Sequence, residues 1–136
     1  MPRMMTGGCL CGRIRYSAGA EPLMTAICHC KHCQRQSGTA FSVIVGVPRA
    51  SLSMEGEPKT FEDRGASGRP VHRLFCPDCG SPVVSEVDVR PDVAFIKAGT
   101  LDDTSWLRPT AEIWCGSEQP WVRQGEERRR FPGSAG

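Results

Sequence analysis

Eight cysteines in 136 residues constrain this chain more than anything else, because seven of them fall into three tight clusters. The clusters are Cys9-Leu-Cys11, Cys28-His-Cys30-Lys-His-Cys33 and Cys76-Pro-Asp-Cys79, the last followed by Gly80. A Cys-x-x-Cys turn lets two thiolates converge on one tetrahedral ion while backbone amides donate to the sulfurs. A glycine just after it accepts the positive φ that such a turn often requires. Two such pairs and a Cys-x-Cys predict bound Zn²⁺. Competing readings fit less well. A thioredoxin-type redox pair sits at a helix start in a βαβ context, which the sequence around Cys76 lacks. Iron–sulfur ligation usually shows closely clustered cysteine runs that are absent here. Disulfides suit an exported chain, whereas Met1-Pro-Arg-Met-Met-Thr-Gly-Gly8 reads as no leader segment. The expectation is a cytoplasmic protein with reduced, metal-bound cysteines.

Seven ligands divide into four and three. Four thiolates close a tetrahedron and make a structural site; three leave a coordination position for water or substrate. Spacing permits two partitions. Cys30 and Cys33 could join Cys76 and Cys79, stranding Cys9, Cys11 and Cys28. Alternatively Cys9, Cys11, Cys76 and Cys79 close one site, and Cys28, Cys30 and Cys33 form a contiguous triad on a second ion. The second keeps the crowded loop on one ion, but spacing alone leaves both open.

The rest of the chain reads as one domain over residues 1–123 with a solvated tail over 124–136, where Glu126-Glu-Arg-Arg-Arg130 precedes Pro-Gly-Ser-Ala-Gly. Strands are predicted at Arg13–Tyr16, Phe41–Val47, Val71–Phe75, Val83–Val87 and Val93–Lys97, and one short helix at Lys31–Gln36. Eleven prolines and fifteen glycines leave little room for longer helices. The formal charge of +2 gives no reason to propose nucleic acid, and seven thiolates with two divalent ions would take it to about −1. No apolar run approaches a membrane span.

Three segments together resemble the glutathione-dependent formaldehyde-activating enzymes, a family grouped with centromere protein V. They are Gly8-Cys-Leu-Cys-Gly-Arg-Ile-Arg-Tyr16, Cys28-His-Cys-Lys-His-Cys-Gln-Arg-Gln-Ser-Gly-Thr39 and Phe75-Cys-Pro-Asp-Cys-Gly-Ser81; Gly99-Thr-Leu-Asp-Asp103 and Trp121 fit as well. The resemblance implies a mainly β, Mss4-like zinc fold of short antiparallel strands with two zinc sites. It also implies the second partition: Cys9, Cys11, Cys76 and Cys79 structural, and Cys28, Cys30 and Cys33 catalytic. The implied activity is that of a carbon–sulfur lyase joining glutathione to formaldehyde as S-hydroxymethylglutathione, with a small thiol and an aldehyde as partners. In the strand after the Leu-Asp-Asp turn, Glu112 stands where many relatives have a histidine.

Single residues are weighed against that frame. His29 and His32 are expected to hydrogen-bond to cysteine sulfurs or backbone rather than to ligate. His72 is expected to be structural, and Cys115 a buried small hydrophobe rather than an eighth ligand. Trp106, Trp114 and Trp121 are expected to fill core, with a wall beside the open zinc as the sharper reading. Asp102 and Asp103 read as turn formers bonding local backbone. Arg35 and Ser37 are either contacts for an anionic substrate or solvated surface. The alternative to an enzyme is a zinc-stabilised binding module with two structural metals. A fourth protein ligand on the second ion, from His29, His32 or Cys115, would favour it.

Overall fold

The computed structural model describes residues 4–123, 128–132 and 134, so residues 124–127, 133, 135 and 136 of the expected tail lie outside the described residues. Among the described residues the strands are β1 (Met5–Gly8), β2 (Arg15–Ala18), β3 (Met24–Cys28), β4 (Ser42–Pro48), β5 (Leu52–Glu55), β6 (Lys59–Arg64), β7 (Pro70–Phe75), β8 (Pro82–Val87), β9 (Val93–Lys97) and β10 (Ala111–Ile113). One α-helix, α1 (Lys31–Ser37), lies between β3 and β4. The mainly β expectation holds. A three-stranded sheet runs β1-β2-β5, and a seven-stranded sheet runs β10-β3-β4-β9-β8-β7-β6. Every pairing is antiparallel except β10 on β3, which is parallel.

The five predicted strands are present, Val93–Lys97 with the predicted bounds and the other four with shifted ends. Ser-Val-Ile-Val-Gly-Val-Pro in β4 and Val-Ala-Phe-Ile-Lys in β9 are buried at nearly every position. They occupy the middle of the large sheet, and strands covered on both faces read as continuous apolar runs. Strand β2 begins two residues late because Ile14 belongs to the first cysteine turn, where its amide bonds Cys9 Sγ at 3.3 Å. Strand β6 gives no sequence signal because it is an edge strand exposed at almost every position. The core joins both sheets: Met5, Tyr16 and Ala18 pack with Val45, Val47, Val84, Ala94 and Ile96.

Side chains alternate across a strand, so the register assigns faces. Val45, Ile96 and Val84 sit in one row and face the core. One position along, Cys28 pairs with Ser42, Ile44 with Lys97, Phe95 with Ser85, and Ser85 with Arg73. Cys28, Ser42, Lys97, Ser85 and Arg73 therefore share the opposite face. That placement matters below.

Asp102 corrects one expectation, since it is a long-range clasp rather than a local turn former. Its carboxylate accepts from Arg15 Nη1 at 3.0 Å and from Thr6 Oγ1 at 2.7 Å, pinning the loop after β9 to β1 and β2. Asp103 behaves as expected, accepting from the Ser105 amide at 2.9 Å. The Arg15 guanidinium, then the Thr6 hydroxyl, pull the Asp102 carboxyl down to about 2. A lowered folded-state value means the stabilisation is fully present above the ordinary value of 3.8 and is lost as pH falls towards about 2. Asp102→Asn should therefore lower the urea midpoint by a constant amount above about pH 5, with the gap from wild type closing between about pH 4 and pH 2. A gap independent of pH would show that the carboxylate charge contributes nothing.

Candidate metal centres

The structure brings two separate groups of sulfurs together, each with its Sγ atoms within 4.8 Å of one another: Cys9, Cys11, Cys76 and Cys79, and Cys28, Cys30 and Cys33. Each group could hold a metal ion. The other partition that spacing allowed, Cys30 and Cys33 with Cys76 and Cys79, is not assembled.

In the first group the chain makes two facing turns. Cys9 N–H bonds Ile14 O at 3.0 Å, and Cys76 N–H bonds Ser81 O at 3.0 Å. Gly80, at φ +79°, closes the second turn with its amide on Cys76 O at 2.8 Å. Here the left-handed backbone is needed, which accounts for the glycine after Cys79. The turn also sits beside the register shift between Leu74 and Phe75 in the β7–β8 pair. Ser81 then crosses between turns: its Oγ accepts from Leu10 N at 3.1 Å and lies 3.3 Å from Cys79 Sγ. The Ser81 hydroxyl, with its amide behind it, pulls the Cys79 thiol down to about 5. Cys9 and Cys11 sulfurs are 3.6 Å apart, and Cys11 and Cys76 are 3.7 Å apart. A tetrahedron with Zn–S near 2.3 Å has edges of about 3.8 Å, so the donor set fits that ion.

The second group is built at a strand–helix junction. Cys28 ends β3, Cys30 caps α1 by accepting Cys33 N–H at 3.2 Å, and Cys33 lies in the first turn. The helix runs Lys31–Ser37, one residue past the expected end, and stops at Gly38, whose φ of 70° and amide bond to Gln34 O form the cap. Gln34 is buried and fully used: its amide donates to His29 O at 2.7 Å and Ser117 O at 3.0 Å, and its carbonyl accepts from Gln119 at 2.8 Å. It locks the cysteine loop to the segment after β10. No sequence signal singled it out.

Two buried cations accompany these thiols. Arg73, 5% exposed, points Nη1 at Cys33 Sγ at 3.9 Å and Nε at Asp63 Oδ2 at 2.9 Å. Lys97, 6% exposed, donates Nζ to Ser42 Oγ at 2.9 Å. Donation from Cys28 and Cys30, with the field of Lys97 and Arg73, holds the Cys33 thiol far below its usual range. Cys28 is pushed correspondingly up by Cys30, Cys33 and burial. Cys33 thus favours the thiolate that a metal ligand requires, and a bound cation would offset the charge that holds Cys28 protonated. Sequence reasoning missed both cations.

The remaining candidates settle as follows. His32 bonds Asp63 at 2.8 Å, and His29 Nε2 bonds Glu112 Oε1 at 2.9 Å, so both meet carboxylates rather than the expected sulfur or backbone. His29, Glu112 and Glu118 also lie within 4.8 Å of one another. Among the described residues no fourth His, Cys, Asp or Glu joins Cys28, Cys30 and Cys33 within that distance. His72 is structural in the expected sense, held by Asp88 at 2.8 Å and Glu62 at 3.2 Å. Cys115 is exposed, not buried, because it follows the exposed edge strand β10 in a turn that Trp114 enters at φ 58°. Trp114 and Trp121 are likewise more than half exposed, leaving Trp106 alone of the three against the core. Ser37 Oγ bonds Cys33 O at 2.6 Å within its own helix, and Arg35 is exposed.

The family model described as "Glutathione-dependent formaldehyde-activating enzyme" matches residues 4–117. Relatives from Aspergillus flavus and Aspergillus oryzae, provisionally named glutathione-dependent formaldehyde-activating enzymes, are 24% identical over 74% of this chain and 55% of theirs. A Podospora anserina protein with the same name is 26% identical over 76% of this chain and 52% of its own. The chain thus spans about half the length of these curated relatives. A crystal structure of a Rhodobacter sphaeroides protein superposes with a TM-score of 0.60 at 17% identity, covering 79% of this chain and 99% of that one.

Proposed function

Because the chain belongs to the glutathione-dependent formaldehyde-activating enzyme family, we propose that it joins a small thiol to an aldehyde, and cleaves the same carbon–sulfur bond in reverse. On this reading Cys28, Cys30 and Cys33 hold a catalytic Zn²⁺, and Cys9, Cys11, Cys76 and Cys79 hold a structural one. The observation that carries it is the three-sulfur group with no fourth protein donor of those types among the described residues. A saturated second group would have favoured the binding-module reading. Zinc bound there would supply Lewis acidity, lowering a thiol's pKa and drawing charge from a carbonyl oxygen. The chain's own part is to bring three sulfurs together beside Lys97 and Arg73, and to hold, through Gln34, the helix that is capped by Cys30 and carries Cys33.

The reaction balances without a redox partner. The thiol gives up a proton, sulfur bonds the aldehyde carbon, and the carbonyl π pair moves to oxygen, which takes a proton. Glutathione and formaldehyde are the pair that the family's description supplies. No helix among the described residues is long and apolar enough to cross a membrane, and none of the eight cysteines is disulfide-bonded. A reducing cytoplasm would keep them so. Residues 1–123 form the zinc domain on this reading, with 124–136 a tail beyond it.

The test is exchange spectroscopy with ¹³C-formaldehyde and glutathione. Zinc-loaded protein should accelerate exchange between free and thiol-bound formaldehyde well above the spontaneous rate. Exchange at the spontaneous rate with two zinc equivalents bound would sink the enzyme reading.

A further inference from the structure

The buried face that carries Cys28 also carries Lys97 and Arg73, and the three thiols alone do not explain why two cations were taken out of water. Burying a charge costs several kcal/mol unless it is paired, so their partners define their role. Arg73 divides its guanidinium between Asp63 and Cys33 Sγ. Among the described residues no carboxylate pairs with Lys97, and its ammonium donates to a neutral hydroxyl, Ser42 Oγ. Burial pushes the pKa of its ammonium down; against that, Cys33, Cys28 and Cys30 favour the charged form, and Arg73 opposes it. The four-sulfur group contrasts with this. Beside it, Asp78 of the Cys76–Cys79 turn pairs with Arg13 at 3.5 Å, both largely exposed.

We propose that Lys97, with Arg73 beside it, lets the Cys28–Cys30–Cys33 centre accept an anionic ligand, a thiolate, whose charge the centre would otherwise repel. This rests on the metal-centre reading above and adds the residue that sets its ligand class. Three thiolates, a divalent ion, Lys97, Arg73 and Asp63 together carry no net charge. A neutral ligand leaves that balance unchanged, while an anion adds one negative charge. Without Lys97 the same anion would face an already negative buried centre, whereas a neutral ligand would meet little electrostatic change. Lys97 therefore discriminates by charge, and removing it penalises anions alone. The register delivers it: Lys97 pairs with Ile44, two positions from Ser42, which in turn pairs with Cys28. Ser85, on the same face between Phe95 and Arg73, has a buried hydroxyl with no partner among the described residues, so this face holds polarity beyond what their bonds use.

The experiment uses full-length protein loaded with Co²⁺, whose visible bands report ligand binding directly. It is titrated with 2-mercaptoethanol, thiocyanate and imidazole. In wild type thiocyanate, the thiol as its thiolate, and imidazole should all bind. Lys97→Met should weaken thiocyanate and the thiol about ten- to a hundredfold, as loss of one nearby charge in a partly screened interior requires, and leave imidazole within about twofold. Lys97→Arg should restore most of the anion affinity. Should Lys97→Met fail to fold, Lys97→Gln carries the same comparison. Unchanged anion affinity in the variants, or equal weakening of anions and imidazole, would each overturn the proposal. Wild type that takes thiocyanate in a Lys97-dependent way, but no thiol, would keep this role of Lys97 and remove the thiol-adding function instead.

Discussion

Replacing Cys76 with serine should leave this protein without a cooperative melt. Cys76 is fully buried at the point where β7 turns towards β8, and its sulfur lies 3.7 Å from Cys11, some sixty residues earlier. A serine hydroxyl is a poor zinc ligand, so the change removes a donor and leaves a polar group in the core. Structural zinc contributes about 10–16 kcal/mol of apparent binding energy in small domains. Whole domains are stable by only about 5–15 kcal/mol. Loss of much of the first term therefore exceeds the second. Soluble yield and a far-UV thermal scan, with metal content measured alongside, would decide it. A variant that melts like wild type would rule out a structural metal at Cys9, Cys11, Cys76 and Cys79.

Cys30→Ser should do the opposite, keeping the fold and removing the chemistry. Cys30 is the N-cap of α1, where its side chain accepts Cys33 N–H. Serine is among the best N-cap residues, so the helix keeps its start. The hydrophobic core that joins the two sheets does not include Cys30. The melt should stay within about 5 °C of wild type, a shift corresponding to about 1 kcal/mol. Bound zinc should fall from about two equivalents to about one, and acceleration of thiol–formaldehyde exchange should fall about a hundredfold or more. Retained metal and retained exchange would exclude the triad as the reactive centre.

How much of this was legible in the sequence depends on how local each cause is. The cysteine clusters were legible because a knuckle is a feature of four consecutive residues, as Cys76-Pro-Asp-Cys79 shows. Strands β4 and β9 were legible because burial on both faces leaves an unbroken apolar run. Lys97 and Arg73 were not, since a charged residue at the end of β9, or beside His72 in β7, does not announce what it faces. Their meaning comes from partners far away in sequence, Ser42 for the first and Cys33 for the second. Cys115 and Trp114 misled for the converse reason. Both are apolar by type, but the parallel strand before them is a sheet edge with every residue exposed, and nothing in Ala-Glu-Ile-Trp-Cys announces that.

The two sulfur groups also differ in when, during synthesis, they come to exist. Cys28, Cys30 and Cys33 span six residues and are complete as soon as that stretch leaves the ribosome. The other group must wait until Cys79 follows Cys9 out, and closing the longer loop costs about 2 kcal/mol more in chain entropy. A nascent or unfolded chain can thus capture an ion at the short motif while lacking the long-range one. An ion bound equally in folded and unfolded chains stabilises neither. The metal that arrives first should contribute least to stability, and the one that arrives last should commit the chain to its fold.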